Sequence, residues 1–394
     1  MSSCDRLPAA AWTGRDGLRA LAAAMGAGKL RWVGGAVRDT LLGHPVSDVD
    51  AATPLPPDEV MARLRKAGIR CVPTGIDHGT ITALIEGGNV EITTLRHDVS
   101  TDGRRATIQF AEDWRDDAAR RDFTINALYA DPETLEIYDY FGGREDLAAR
   151  RVRFIGDARE RIREDHLRIL RYFRFQARFG SALNEEAERA CTELADTLKG
   201  LSRERVAMEL LNLLGLPDPA PTVARMRNLG VLPVILPEAG RQEVDALARL
   251  VRAESAAGIA PDAMRRLAAL LPSVEPVADG VAARLRLSGK QRKRLSCAAE
   301  RRPEDADNPR ALAYREGMEG ALDRLLLGGT DITPLTGWQV PQLPIKGGAI
   351  VASGVQAGPD IARVLRRVEA RWVEEGFPDE ARVREILAEE VAAI

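Results

Sequence analysis

Two aspartates separated by one valine, in the stretch HPVSDVDAAT at residues 44–53, have the side chains and the spacing for metal chemistry. Asp48 and Asp50 lie where the small and apolar residues that follow predict a β-strand. On a strand, residues i and i+2 point to the same face, so the two carboxylates would lie side by side and repel each other. Such a pair needs a cation to relieve the repulsion, unless both residues are solvated in a turn.

A pair of glycines precedes the aspartates in the segment GGAVRD. Gly34 and Gly35 follow a short predicted strand and open a predicted helix, which makes a place where backbone amides can approach a phosphate. Arg38 would lie one helical turn farther on, within reach of the same phosphate. The segment is not a Walker loop because no Gly-Lys-Ser follows. A Gly-Gly turn alone is more often only a turn, so its interpretation depends on the aspartates nearby.

The glycine turn and the aspartates together predict a magnesium site. Mg²⁺ is typically held by one or two carboxylates together with phosphate oxygens of the substrate. Asp48 and Asp50 follow the turn by fewer than twenty residues. Glu91, in VEITT, lies on a predicted strand that can pair beside the aspartate strand, which makes it a candidate third catalytic carboxylate. The alternative for Glu91 is an exposed strand residue without a role.

Composition places the chain among globular proteins with more than one domain. It has 394 residues, of which 45% are hydrophobic and 29% charged, and this length predicts roughly two to four domains. No stretch of 18 consecutive apolar residues is present, so no membrane span is predicted. The N-terminal residues lack a basic segment followed by an apolar one, and the four cysteines form no C-x-x-C pair. These features predict a cytoplasmic protein.

Charge is unevenly distributed along the chain. The formal net charge of −3 argues by itself against a nucleic-acid-binding protein. Residues 151–178, however, contain nine arginines against four acidic residues, and residues 284–302 contain eight lysines and arginines against one glutamate. An RNA backbone responds to local surface charge rather than to net charge. The alternative is that each cluster is a solvated helix face.

The elements that must position these residues form an α/β part and a helical remainder. Before about residue 144 the pattern predicts short strands and helices, including a hairpin at 79–96 and a helix in RRDFTINALYA with Asp122 as its N-cap. Residues 97–117 are charged and irregular and are expected to form a mobile loop. Beyond residue 144 helical periodicity continues almost to the C-terminus. The predicted fold class is therefore α+β.

Four longer motifs occur in the order GGAVRDTLLGHPVSDVDAAT, TGIDHGTITALIEGGNVEITTLR, RRDFTINALYA and EDHLRILRYFRFQARFG. With these motifs the chain resembles the superfamily of class II tRNA nucleotidyltransferases and bacterial poly(A) polymerases, densely over residues 30–180. The resemblance implies a small nucleotidyltransferase-type α/β head with a mixed sheet, followed by an all-helical neck, body and tail. The expected domains are a catalytic head, a base-recognising neck, a body and a tRNA-binding tail, at residues 1–143, 144–215, 216–327 and 328–394.

The resemblance also implies roles for individual residues. Asp48 and Asp50 match the metal-binding carboxylates of the family. The positions that match nucleotide-binding residues are Gly35, Arg38, Arg121, Asp165, Arg168, Arg171 and Arg174. Within this set, Asp165 and Arg168 match the pair that reads the incoming base.

The side-chain chemistry of Asp165 and Arg168 fits base recognition. The two residues are three apart and are expected to neighbour each other on one helix. A carboxylate accepts hydrogen bonds and a guanidinium donates them, so the pair complements the amino group and the ring nitrogen of cytosine or adenine. Uracil and guanine present the reversed order of groups. The alternative is an ordinary i,i+3 surface salt bridge.

These observations predict a magnesium-dependent enzyme that adds C, C and A from CTP and ATP to the 3′ end of tRNA without a template and releases pyrophosphate. Alternatives are a poly(A) polymerase, a partial CC-adding or A-adding enzyme, and, from another class, a catalytically silent RNA-binding protein. The loop at 97–108 has full length, whereas CC-adding relatives have a shortened one, although an aromatic residue is usual where Ser100 or Thr101 stands. No protein partner and no membrane association are predicted.

Overall fold

The structure is a computed structural model of the chain. It describes residues 6–102, 105–179, 183–356 and 358–393, with the backbone alone for residues 97–102 and 105–108. Within these residues no helix combines the length and the apolarity needed to cross a membrane. The chain forms two compact units, and the first comprises Met1–Leu213 and Pro221–Ile235.

All strands of the described residues belong to the first unit. In chain order they are β1 (Arg31–Val33), β2 (Val49–Thr53), β3 (Arg70–Gly75), β4 (Thr80–Ile85), β5 (Gly88–Thr94), β6 (Arg96–Asp102), β7 (Arg105–Phe110), β8 (Leu128–Ala130) and β9 (Ile137–Asp139). Seven of them form one sheet in the order β3-β4-β5-β2-β1-β8-β9, and β6 pairs with β7 as a separate hairpin. The pairing of β2 with β5 is parallel and the other pairings are antiparallel, so the predicted mixed sheet is confirmed.

The helices of the first unit flank this sheet and then continue beyond it. They are α1 (Asp16–Met25), α2 (Gly35–Leu41), α3 (Pro57–Lys66), α4 (Trp114–Ala119), α5 (Gly143–Ala148), α6 (Ala158–Glu164), α7 (Arg168–Phe179), α8 (Glu185–Glu193), α9 (Arg203–Leu214), α10 (Ala220–Asn228) and α11 (Leu232–Ile235). In the described residues, strands end with β9, so the predicted change to an all-helical remainder near residue 144 is confirmed.

The parallel pairing of β2 and β5 follows from the connection between them. α3 begins at Pro57, where a missing N–H costs nothing, and carries the chain across the sheet before β5. Leu64 of α3 and Ile81 and Ile92 of the sheet are at most 1% exposed, so the helix and the strands share one core. Burying side chains of this size stabilises the fold by about 1.5–3 kcal/mol each. The register of β5 beside β2 is therefore fixed by buried apolar residues.

The expectation of an irregular segment at 97–117 is wrong for most of it. Its residues contribute to β6, β7 and α4, while residues 103 and 104 lie outside the described part of the chain. The segment contains the β-branched residues Val99, Thr107 and Ile108, which favour extended backbone. Charged residues between them masked this strand signal in the sequence.

The expectation of a helix in RRDFTINALYA is also wrong. Residues Thr124–Asn126 form a single 3-10 turn, and the residues that follow form β8 between β1 and β9. The Asp122 carboxylate accepts a hydrogen bond from the N–H of the next residue, Phe123, and does not cap an α-helix. All of β8 is buried, so its pairing in the sheet outweighs the helical preference of its Leu and Ala residues.

The second compact unit comprises Leu214–Ala220 and Leu236–Ile394. Its helices are α12 (Arg241–Ala256), α13 (Ala263–Ala269), α14 (Glu275–Arg284), α15 (Gly289–Ala299), α16 (Pro309–Gly328), α17 (Gly347–Ala352), α18 (Pro359–Glu374) and α19 (Glu380–Ala392). α16 is interrupted at Gly317, which has a φ of 78°. The division into head, neck, body and tail is finer than these two units and stays a prediction.

Candidate active site

The glycine pair forms the turn between β1 and α2. Gly34 has a φ of 70° and a ψ of −120°, a conformation in which an L side chain would be strained. Its N–H donates to the Leu128 carbonyl at 3.1 Å, which ties the turn to β8. A Cβ atom at Gly34 would lie 3.6 Å from Nη1 of Arg121. The turn, with Gly35 as the first residue of α2, therefore lies directly beside a guanidinium.

The three candidate carboxylates lie on neighbouring parts of β2 and β5. Asp50 on β2 is in register with Glu91 on β5, and Asp48 immediately precedes β2. All three side chains are exposed. The predicted pairing of the Glu91 strand beside the aspartate strand is confirmed, and a turn position for Asp50 is wrong because the residue lies within β2. Across the other edge of β2, Asp50 is in register with Val33, the residue before the glycine turn.

Electrostatic repulsion is concentrated at Asp50. Partial burial raises the pKa of its carboxyl, Glu91 and Asp48 raise the pKa further, and Arg121 opposes them. Two carboxylates with open coordination positions suit Mg²⁺, for which substrate oxygens supply further ligands. Among the described residues, no group of three or more His, Cys, Asp or Glu side chains is arranged to hold a metal. The donor set thus fits a cation that is shared with a substrate rather than one enclosed by protein.

Arg121 is fixed in place by a buried acceptor pair. Its guanidinium donates to Asp117 Oδ2 at 3.1 Å and to the Tyr129 hydroxyl at 3.1 Å, and Tyr129 in turn donates to Asp117 at 2.7 Å. Burial would raise the pKa of Asp117, but Arg121 and Arg120 together hold it at about 2. Asp117 therefore stays ionised at neutral pH and orients the cation beside the glycine turn.

Arg38 is placed differently from the sequence expectation of a side chain that reaches outward to phosphate. It is 4% exposed, and its guanidinium lies over the buried aromatic rings of α7. It donates to Asp39 at 2.8 Å and to the Asn126 side-chain oxygen at 2.5 Å. Asp39 also accepts from Arg178 of α7 at 2.8 Å. Arg38 and Asp39 therefore connect the glycine-turn helix to α7, and the predicted nucleotide contact of Arg38 stays a prediction.

The same hydrogen-bond network continues from Asn126 to the other predicted arginines. Asn126 donates to Asp122 at 2.9 Å, and Asp122 accepts from Arg171 at 2.6 Å. Glu209 of α9 lies 3.6 Å from Arg171 and accepts from Arg174 at 2.6 Å. Burial would raise the pKa of Asp122, but Arg171 and the hydrogen bonds hold it below its usual value. We call this chain of residues, from Asp39 to Arg174, the arginine network.

The expectation that Asp165 and Arg168 share one helix is wrong. Asp165 follows the last residue of α6 with extended backbone, and Arg168 is the first residue of α7. The reason is local, because the Asp165 carboxylate accepts the N–H of Leu167 and so favours a turn before α7. Asp165 is paired with Arg205 at 2.8 Å, and Arg168 with Glu164 at 2.6 Å, rather than with each other. The base-reading role stays a prediction.

The basic cluster at 151–178 is largely neutralised by acidic partners. Eight of its nine arginines form ion pairs. The carboxylates come from the cluster itself and from distant parts of the first unit, for example Asp146, Glu193 and Glu209. The structure therefore favours an internal framework over a bare RNA-facing surface for this cluster.

Sequence analysis missed several residues that position the candidate site. They are Asp39, Asp117, Asn126, Arg205 and Glu209. Local signals existed for the first three, because Asp39 adjoins Arg38, and Asp117 and Asn126 lie four residues from Arg121 and Asp122. The other two are 40 and 35 residues from their partners, which no local spacing reveals.

Comparison with known families identifies two segments of the chain. Residues 30–153 match the model of the poly A polymerase head domain. Residues 182–242 match a family described as the probable RNA and SrmB-binding site of polymerase A. The first match contains the glycine turn, the three carboxylates and Arg121, which are the elements described above.

Individual proteins resemble the chain over nearly its whole length. The mitochondrial CCA tRNA nucleotidyltransferase 1 of Mus musculus is 35% identical over 381 residues, covering 89% of this chain and 84% of the mouse protein. The CCA-adding enzyme of Geobacillus stearothermophilus is 38% identical over 223 residues, covering 56% of this chain and 54% of that protein. The crystal structure of the Bacillus stearothermophilus CCA-adding enzyme in complex with CTP matches with a TM-score of 0.68 at 26% identity, covering 92% of this chain and 94% of the other. The chain therefore belongs to the tRNA nucleotidyltransferase and poly(A) polymerase family and is a nucleotidyltransferase.

Proposed function

We propose that the chain adds C, C and A in turn to the 3′ end of tRNA, with CTP and ATP as substrates and pyrophosphate as the second product. The observation that carries this proposal is the alignment of Asp50 with Glu91 and Asp48 beside the glycine turn. The names of the relatives support it, since the mouse and Geobacillus proteins are a CCA tRNA nucleotidyltransferase and a CCA-adding enzyme.

Asp48 and Asp50 are the residues that would hold Mg²⁺. A bound Mg²⁺ lowers the pKa of the attacking 3′-hydroxyl and neutralises charge that develops on the α-phosphate. Glu91 raises the negative potential at Asp50 and so increases the attraction for a cation. Arg121, held by Asp117 and Tyr129, supplies positive charge on the side of the glycine turn, where the triphosphate would lie.

Asp165 and Arg168 retain hydrogen-bonding capacity for a base. A guanidinium has five N–H donors, and Arg168 uses three of them on Glu164 and on the carbonyls of Arg161 and Arg120. The Asp165 carboxylate accepts from Leu167 and Arg205 and can accept further bonds. One remaining donor and one remaining acceptor are what the edge of cytosine or adenine requires.

The finer assignments belong to the same proposal. The head at 1–143 would carry the metal and triphosphate chemistry, the neck at 144–215 the base reading, and the body and tail at 216–327 and 328–394 the grip on tRNA. Cysteines scattered without C-x-x-C pairs support a reducing compartment such as the cytoplasm.

The test is incorporation of each labelled nucleotide into a tRNA transcript that lacks its C-C-A end. Two additions from CTP followed by one from ATP are expected. Long runs of A would identify a poly(A) polymerase, and C or A addition alone would identify a partial enzyme. Binding of the transcript without any incorporation would identify a catalytically silent RNA-binding protein.

A further inference from the structure

A cavity of about 520 Å³ lies on the second compact unit, between α16 and α18. It is lined by Tyr314, Arg315, Arg366, Glu369, Ala370 and Val373. α16 is broken at Gly317, two residues beyond Arg315, where φ is 78°. The cavity thus lies beside the break in one helix and along the continuous face of another.

One wall of the cavity is rigid. The ring of Tyr314 packs edge-on against buried Trp372, with centroids 5.5 Å apart. Its hydroxyl donates to Glu369 Oε1 at 2.5 Å. Partial burial and, after it, Glu369 raise the pKa of Tyr314 to about 12, so the phenol keeps its proton at neutral pH. The Tyr314 hydroxyl therefore holds the Glu369 carboxylate in place as an acceptor, and within the described part of the chain Oε2 of Glu369 has no hydrogen-bond or ion-pair partner.

Two exposed arginines in the cavity lack acidic partners. Among the residues that the structure describes, Arg315 and Arg366 form no ion pair, and the Arg366 Nε–H donates only to the backbone carbonyl of Ala362 at 3.2 Å. Other arginines of α18 are neutralised by carboxylates at 2.6–2.7 Å, namely Arg363, Arg367 and Arg371. The cavity thus holds two guanidinium groups that the fold leaves free for an anion.

We infer that this cavity binds one ribose-phosphate unit of an RNA backbone. Guanidinium groups donate in pairs to phosphate oxygens, and a fixed carboxylate accepts the 2′-hydroxyl that distinguishes RNA from DNA. Two positive charges outweigh the single negative charge of Glu369, so the phosphate is attracted. The inference rests on the proposed function, because tRNA is the RNA that this unit would hold.

The test measures equilibrium binding of a tRNA transcript that lacks its C-C-A end, over a range of salt concentrations. The double variant Arg315→Ala/Arg366→Ala is expected to bind roughly tenfold more weakly and to lower the slope of log K against log salt by about one, as for loss of one phosphate contact. The variant Arg315→Lys/Arg366→Lys keeps both positive charges and should retain most of the slope of log K against log salt. The matched control, Arg363→Ala/Arg384→Ala, removes two paired and exposed charges from the same unit.

A hairpin of the acceptor stem and adjoining arm, made as RNA and as DNA, tests the 2′-hydroxyl. Glu369→Ala should lower the ratio of RNA to DNA affinity by about threefold, and Tyr314→Phe, which removes the hydrogen bond that orients Glu369, should lower it by less. Loss of affinity in the control pair equal to that in the cavity pair, or wild-type affinity in the cavity variant, would overturn the inference. A third result would also overturn the inference. If Arg315→Ala/Arg366→Ala abolishes binding of ribose 5-phosphate but leaves RNA affinity unchanged, the cavity binds a small phosphate ester rather than RNA. Wild-type protein that binds the transcript but does not extend it would instead count against the proposed function.

Discussion

The carboxylates on β2 and β5 and the arginine network behind the glycine turn differ in how their charges are balanced. Asp48, Asp50 and Glu91 are exposed residues, but the Asp50 carboxyl is partly shielded from solvent, and this shielding together with the charges of Glu91 and Asp48 raises its pKa. In the network, each carboxylate is paired with one or two arginines, and Asp122, which is 8% exposed, has a pKa held below its usual value by Arg171 and its hydrogen bonds.

This difference indicates which region awaits a ligand. The carboxylates on β2 and β5 carry repulsion that a bound cation would relieve. The arrangement that suits metal binding therefore lowers the stability of the metal-free protein. In the arginine network each carboxylate is already paired with an arginine. These ion pairs hold in place the helices that carry the predicted nucleotide contacts. Substitutions should therefore affect activity most strongly at the carboxylates on β2 and β5, and stability most strongly in the arginine network.

The largest expected effect is the loss of nucleotide transfer in Asp50→Ala. Removing a carboxylate that would hold the metal should lower the single-turnover rate by at least about 10³-fold, which is several kcal/mol of transition-state stabilisation. The affinity for tRNA should change little if, as proposed, the helical remainder holds the tRNA. Rates and tRNA binding are measured side by side, with exposed Asp58→Asn on α3 as the control. A rate within tenfold of wild type would rule out Asp50 as a metal ligand.

Asp122→Asn should reduce the free energy of unfolding by about 3 kcal/mol. Neutralising the nearly buried Asp122 leaves Arg171 with only the more distant Glu209, at 3.6 Å, and removing one partner of such a pair usually costs more than the pair itself contributes. Urea denaturation of the purified protein measures the change, again against Asp58→Asn. If the variant is as stable as wild type, the network is not the framework described here.

Asp165→Ala and Arg168→Ala should each relax base choice. A bidentate reading of a base edge discriminates by about 1–3 kcal/mol, or roughly 5- to 150-fold, and each residue supplies half of it. The measurement is kcat/KM for all four nucleotides on one tRNA, with Asp157→Asn at the start of α6 as the control. Equal loss for all nucleotides, with the ratio of CTP to UTP unchanged, would show that the two residues only support the pocket.

Asp117 should make the protein sensitive to acid in a defined range. Its pKa of about 2 lies below the ordinary value of 3.8, so its stabilising contribution is present above about pH 4 and is lost as the pH falls through about 2. Between these values the wild type should lose about 2 kcal/mol more than Asp117→Asn does. The neighbouring exposed Asp116→Asn should follow the wild-type curve, and parallel curves for all three proteins would contradict the assignment.

The smallest effect has the opposite sign. Asp50→Asn removes a like-charge pair directly across β2 and β5, so the metal-free protein should become more stable by about 0.2–1 kcal/mol. Thermal unfolding in the presence of a chelator measures this difference. A loss of stability would mean that Asp50 is not held against repulsion.

Features with short sequence spacing were predictable. The glycine turn, the aspartate strand and the hairpin that carries Glu91 follow from alternation and turn residues over fewer than about ten positions each. The aromatic residues of α7 also follow helical spacing, and the structure buries Tyr172 and Phe173 fully in the core.

Features that depend on tertiary contacts were not predictable. β8 exists because two other strands flank it, although its residues favour a helix. Arg178 finds its acceptor 139 residues away at Asp39, and only the packing of α7 against α2 brings them together. The i,i+3 spacing of Asp165 and Arg168 was misleading because a side-chain hydrogen bond ends one helix and begins another between them.

The parallel register of β2 and β5 also determines where the chain tolerates insertions. The turns between the elements of the segment from Thr53 to Gly88, such as residues 67–69 between α3 and β3, can lengthen or shorten without moving Asp50 relative to Glu91, because the paired strands and the buried face of α3 fix that alignment. Deleting a single residue within β5 before Glu91 would instead turn that carboxylate toward the core and bring an apolar neighbour to the surface. Length variation among natural or engineered relatives should therefore accumulate in those turns and be absent from the strands.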